Sequence, residues 1–154
     1  MLFGKSQKAG DRAKWIWVIV CSSLLMSGCE SDKLAQCDRI FMIVRDVNQS
    51  NQDLSSLDDG QSLEMKSWLQ AANQFSQAAD MLKDLEIERR ELMEYQHRLA
   101  RIYRIYAQTT YDAVRAQENK DLTALESARQ DAEKAGVLQR QVIQEINSYC
   151  VRSE

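Results

Sequence analysis

Asp121–Cys150 reads DLTALESARQDAEKAGVLQRQVIQEINSYC. Leu125, Ala128, Ala132, Ala135, Val142, Ile146 and Tyr149 recur in it at near-heptad spacing. That period lays one apolar stripe along a helix and requires other helices to bury it. Asp121 stands at the start, where a carboxylate can accept the first free backbone amides. Cys150 stands at the end, and its pairing bears on how the whole chain is arranged.

Working outward, the 154 residues hold five glycines and no proline. At ordinary usage of about 5%, roughly seven or eight prolines would be expected. β-Sandwiches and loop-rich folds use proline to preset their turns, so its absence argues for an all-helical chain. The length suits one domain. Leu34, Cys37, Phe41, Val44 and Val47 predict a first helix over 32–48, with Ser31 or Asp32 as its cap. The polar run 49–60 (QSNQDLSSLDDG) reads as a loop. Trp68, Ala72, Phe75, Leu82 and Leu85 mark a second helix over 61–84. Leu92, Leu99, Ile102, Tyr106 and Ala113 mark a third over 88–118, broken by Asn119-Lys120-Asp121 before the fourth at 121–149.

Nothing between 85 and 88 is a glycine or a proline. An unbroken helix from 61 to 118 would be about 87 Å long at 1.5 Å per residue. It could not bury its stripe within a monomer of this size. A tight turn is therefore expected at 85–88, with Leu85 and Ile87 turned inward. The fold class is all-α, an up-down-up-down four-helix bundle.

The first residues are different in kind. Lys5, Lys8, Arg12 and Lys14 against Asp11 precede a short apolar run, Trp15 to Met26, which Ser27-Gly28-Cys29 closes. The run is shorter than the roughly 20 residues that span a bilayer. Basic flank, apolar stretch and small residues read as a secretory leader over 1–28, with an uncleaved anchor or an ordinary cleaved signal as the alternatives. Leu25-Met26-Ser27-Gly28-Cys29 resembles the bacterial lipobox, in which a small residue precedes a cysteine that is diacylated and becomes the new N-terminus. Met26 stands where leucine is usual. The resemblance implies that Cys29 carries lipid and that the domain is 29–154.

Cys21 then leaves with the leader, Cys29 holds the lipid, and Cys37 and Cys150 remain. An even pair in an exported domain is most simply a disulfide; two separately buried thiols are the other reading. In an up-down-up-down bundle the start of helix one and the end of helix four share an end. The pairing and the topology thus support each other, and the stapled end, which also carries Cys29, would face the membrane.

Removing 1–28 takes away four basic and one acidic group, so 20 basic against 23 acidic becomes 16 against 22, a balance of −6. Nucleic acid is not an expected partner. His97 is the only histidine and sits in a single E-x-x-H. One such motif does not build a di-iron site, so no metal or cofactor is expected. No nucleophile elbow, phosphate loop or H-E-x-x-H occurs, and no catalytic residue is assigned. Arg98, Arg101 and Arg104 step round one side of helix three, with Tyr103 among them. They are the candidate docking site for a protein partner or anionic headgroups, against the plainer readings of a solvated face with i,i+4 ion pairs and, for Tyr103 as for the other tyrosines of the helix, of core residues whose hydroxyls reach the rim.

Lys33-Leu34-Ala35-Gln36-Cys37 and Ile146-Asn147-Ser148-Tyr149-Cys150 resemble the K-x-A-Q-C start and I-N-x-Y-C end of small cyanobacterial helical lipoproteins. More loosely, the anchor and architecture are similar to the four-helix lipoprotein subunits of photosystem II. The first resemblance implies a lipid-anchored place on an extracytoplasmic face, periplasmic or thylakoid-lumenal, and no activity. The expected function is a membrane-anchored, non-catalytic accessory or protein-binding module. The alternative is a carrier of a small hydrophobic ligand or cofactor, seated along Ala124, Ala128, Ala132 and Ala135.

Overall fold

A computed structural model describes residues 28–55 and 61–152. They form four helices, α1 (Gly28–Ser55), α2 (Gln61–Asp84), α3 (Arg90–Glu118) and α4 (Leu122–Val151), with no strand among the described residues. The helices run up, down, up and down. α3 lies between α2 and α4, while α1 packs chiefly on α2 and meets α3 and α4 only over short stretches. Cys37 and Cys150 form a disulfide with 6.3 Å between their Cα atoms, closing the end at which α1 starts and α4 finishes.

Three of the four helices lie where apolar spacing puts them. α2 spans 61–84 as expected. α4 begins after Asp121, whose carboxylate accepts from the amides of Thr123 at 3.1 Å and Ala124 at 3.0 Å. The chain turns into it through Lys120, whose φ is 54°. α3 starts at Arg90 rather than 88.

α1 departs at both ends. Ser31 and Asp32, expected as caps, lie inside the helix, and the expected loop from 49 is still helical to Ser55. Asp32 instead accepts from Gln36 Nε2, one turn on, at 2.7 Å. The physical reason is the lack of a breaker. Gln, Ser, Asn and Asp weaken a helix by only a few tenths of a kcal/mol each, and the first glycine after 49 is Gly60. Residues 56–60 lie outside the described residues, as do 1–27 with the expected leader.

The turn between α2 and α3 runs through 85–89, and Ile87 is buried in it. Helix ends leave backbone groups without intrahelical partners, and here two buried glutamines supply them. Gln96 Nε2 donates to the carbonyls of Leu82, in the last turn of α2, and Leu85, the first residue of the turn. Gln36 Oε1, from α1, accepts from the amides of Glu88 at 3.0 Å and Arg89 at 3.2 Å. Arg39 adds a bond to the Glu86 carbonyl at 3.3 Å.

The core joins Ile40 and Val44 of α1, Ala79 and Leu82 of α2, Leu92, Leu99 and Tyr103 of α3, and Val142 and Ile146 of α4. Phe75 stacks on Tyr106 with ring centroids 5.0 Å apart and lies 6.0 Å from Tyr103. Tyr106 donates to Gln139 Oε1 at 3.0 Å, and a Cβ at Gly136 would come within 3.2 Å of its hydroxyl oxygen. Small residues on α4 thus admit the Tyr106 side chain of α3. Of the alanines weighed as a ligand seat, Ala128 and Ala135 are buried and Ala124 is exposed.

Candidate functional site

Residues three apart on a helix are turned by about 60° from one another, so Arg98, Arg101 and Arg104 fan over about a third of the circumference of α3. Because α3 has a neighbour on either side, the fan divides. Arg98 reaches α4 and makes a two-pronged ion pair with Glu145, its guanidinium 5.9 Å from the Tyr95 ring centroid. Arg104 reaches α2 and pairs with Asp80. Arg101, between them, is exposed and has no ion pair among the described residues.

The electrostatics follow the geometry. The hydrogen bond from Arg98 holds the Glu145 carboxyl below its ordinary value, with a second bond from Gln141 Nε2 at 2.9 Å acting the same way. The Glu145 bond raises Arg98 in turn.

Tyr103 does not belong to this surface. It is 0% exposed, packed in the core near Phe75 and Tyr106, and burial pushes its phenol upward. Its placement in the docking stripe is therefore corrected: the phase that puts Leu99 and Ile102 inward carries Tyr103 with them. Tyr106 is half-buried and raised by burial as well. Tyr95 packs edge-on to Tyr149 at 6.2 Å, and Tyr111 donates to Asn73 Oδ1 at 2.7 Å. His97 lies exposed on the outer face.

The second concentration of polar chemistry is at the stapled end. Lys33 is 2% exposed. Its ammonium donates to the Arg152 carbonyl and lies 5.5 Å from the Tyr149 ring centroid, a cation over an aromatic face. Lys33, Gln36 and Cys37 therefore occupy one face of α1 and bind, in turn, the end of α4, the α2–α3 turn and Cys150. Sequence reasoning placed the cysteines but missed the contacts of Lys33 and Gln36. A signal was present: both fall in phase with Cys37, Ile40, Val44 and Val47, and a polar group on an apolar stripe must find partners.

Cys29 lies in the first turn of α1, eight residues before Cys37 and so about 12 Å from it along the axis. Its side chain lies outside the described residues. None of the described helices is long and apolar enough to cross a membrane. Among the described residues, no three His, Cys, Asp or Glu side chains are grouped as metal ligands. No family model, curated protein or solved structure matches the chain.

Proposed function

We propose that the chain is an exported lipoprotein, anchored through Cys29 at a periplasmic or thylakoid-lumenal membrane face, that acts as a non-catalytic accessory module holding a protein partner. One observation carries the reading. The disulfide, the Lys33 contact and both glutamine clamps lie at the end where α1 begins, and α1 continues without a break from Cys29 into the bundle. A lipid at Cys29 would thus be joined through a helix to the end of the fold that the disulfide closes. Two or more acyl chains anchor stably where one does not. Of the three arginines Arg98, Arg101 and Arg104, Arg101 is the one left for a partner, since Arg98 and Arg104 are engaged within the bundle.

The test has two arms. Labelled palmitate should enter the wild-type chain and not Cys29→Ser, which should also leave the membrane fraction. Cross-linking pull-down from native membranes should recover a specific protein, recovered less well with Arg101→Glu. No label, or recovery of bulk membrane proteins unaffected by Arg101→Glu, would contradict the reading.

A further inference from the structure

We propose that the outer groove between α1 and α2 docks a basic amphipathic helix of a partner protein. Arg39, Met42 and Asp46 form one wall, Asp80, Met81 and Asp84 the other, and Ile43 and Leu85 the floor, around a space of about 780 Å³. A smaller section of about 120 Å³ continues it past Val47 and Ser50. From Arg39 to Ser50 is about 16 Å of helix axis, or three turns, so the groove suits a helix laid along it rather than a compact small molecule.

Its surface chemistry narrows the occupant. Met42 and Met81 are 51% and 53% exposed. Single exposed apolar residues are ordinary, but these two share one groove over an apolar floor. Unbranched thioether side chains can re-pack around varied apolar anchors. The rim is acidic. Asp46 and Asp84 have no ion pair among the described residues, Asp80 is shared with Arg104 on the α3 side, and Arg39 is turned to the Glu86 carbonyl. Gln74 Oε1, in the continuing section, is a buried acceptor with no hydrogen bond among the described residues. Carboxylates along the edges repel an anionic lipid surface and attract lysines or arginines flanking an apolar helix face, the helix-in-groove arrangement.

The inference rests on the reading that the chain works by holding a partner, and it is independent of the lipid. The probe is a labelled Leu/Lys peptide of about five helical turns, with leucines at helical spacing. It is titrated onto the full chain in phosphatidylcholine nanodiscs, with empty nanodiscs subtracted. A glutamate-for-lysine version and a scrambled version serve as controls. Fluorescence anisotropy should show binding of the lysine helix alone. It should be about tenfold weaker or worse with Asp46→Lys/Asp84→Lys and with Met42→Ser/Met81→Ser, while thermal unfolding of these variants stays near wild type. No binding, or equal binding to all variants, would overturn the proposal. So would concentration-dependent self-association abolished by the same substitutions, which would assign the groove to a second copy. A chain that takes up no palmitate yet binds the helix through this groove loses the anchor and keeps the docking site.

Discussion

Gln36 makes the local logic of this fold measurable. The residue is 1% exposed, its Nε2 donates to Asp32, and its Oε1 takes two amides of the α2–α3 turn. Gln36→Leu keeps the volume and strands both amides. A buried donor left without an acceptor costs about 1–3 kcal/mol, so urea unfolding should show a loss of that order, as should Gln96→Leu for the carbonyls of Leu82 and Leu85. Tyr103 sets the opposite expectation. Its hydroxyl is buried near Gln139 but makes no hydrogen bond of ordinary geometry among the described residues. Tyr103→Phe should therefore be neutral or stabilising by up to about 1 kcal/mol, and a clear loss would mean that the hydroxyl is satisfied. The Arg98–Glu145 pair predicts a pH dependence. A carboxyl held below its ordinary 4.5 contributes its full stabilisation above that value and loses it as pH falls through the folded-state value. Wild type should exceed Glu145→Gln by about 1 kcal/mol or less at neutral pH, because the pair is partly exposed. Unfolding curves should show that difference disappearing on acidification below 4.5. A difference independent of pH would assign the effect to packing.

At the scale of helices, α1 is the element held by the fewest contacts of its own. It packs chiefly on α2 and is bound to α4 by the disulfide. Closing a loop of 113 positions stabilises by very roughly 5 kcal/mol on chain-entropy grounds. Cys37→Ser/Cys150→Ser should lose several kcal/mol, with amide exchange protection falling first in α1 and last in α3 and α4. Uniform loss across the four helices would contradict that order. The same element shows what spacing can and cannot reveal. α2 and α4 were legible because punctuation stands before them in the sequence: Gly60 before 61, and Asn119-Lys120-Asp121 with a capping carboxylate. The turn at 85–89 was legible only through the length a single helix would have had, since its stabilising partners, Gln36 and Gln96, come from other elements. The ends of α1 were not legible, because polar residues without glycine or proline neither demand nor forbid a helix. The arginine fan shows the same limit. Spacing gives each arginine its angle on α3, but Glu145 and Asp80, which take up Arg98 and Arg104, lie 47 and 24 positions away.

For the whole molecule, cysteine count and bundle topology each pointed to one end where the chain closes, and the structure joins Cys37 to Cys150 there. The missing prolines fit four helices whose described turns are made by 85–89 and by Asn119-Lys120-Asp121. Function was less legible. The docking stripe lost Tyr103 to the core and two arginines to ion pairs, and the acidic, methionine-bearing groove is assembled from two helices that no single stretch reveals. Lipid at Cys29 and a bridge at Cys37, eight residues on in α1, would together tie membrane, α1 and α4 at one end of the molecule. Intact mass analysis of the mature protein under non-reducing conditions tests both. The predicted species begins at Cys29, is heavier than the polypeptide by its acyl groups, and carries no free thiol at Cys37 or Cys150. An unacylated chain, a different N-terminus, or two free thiols would contradict it.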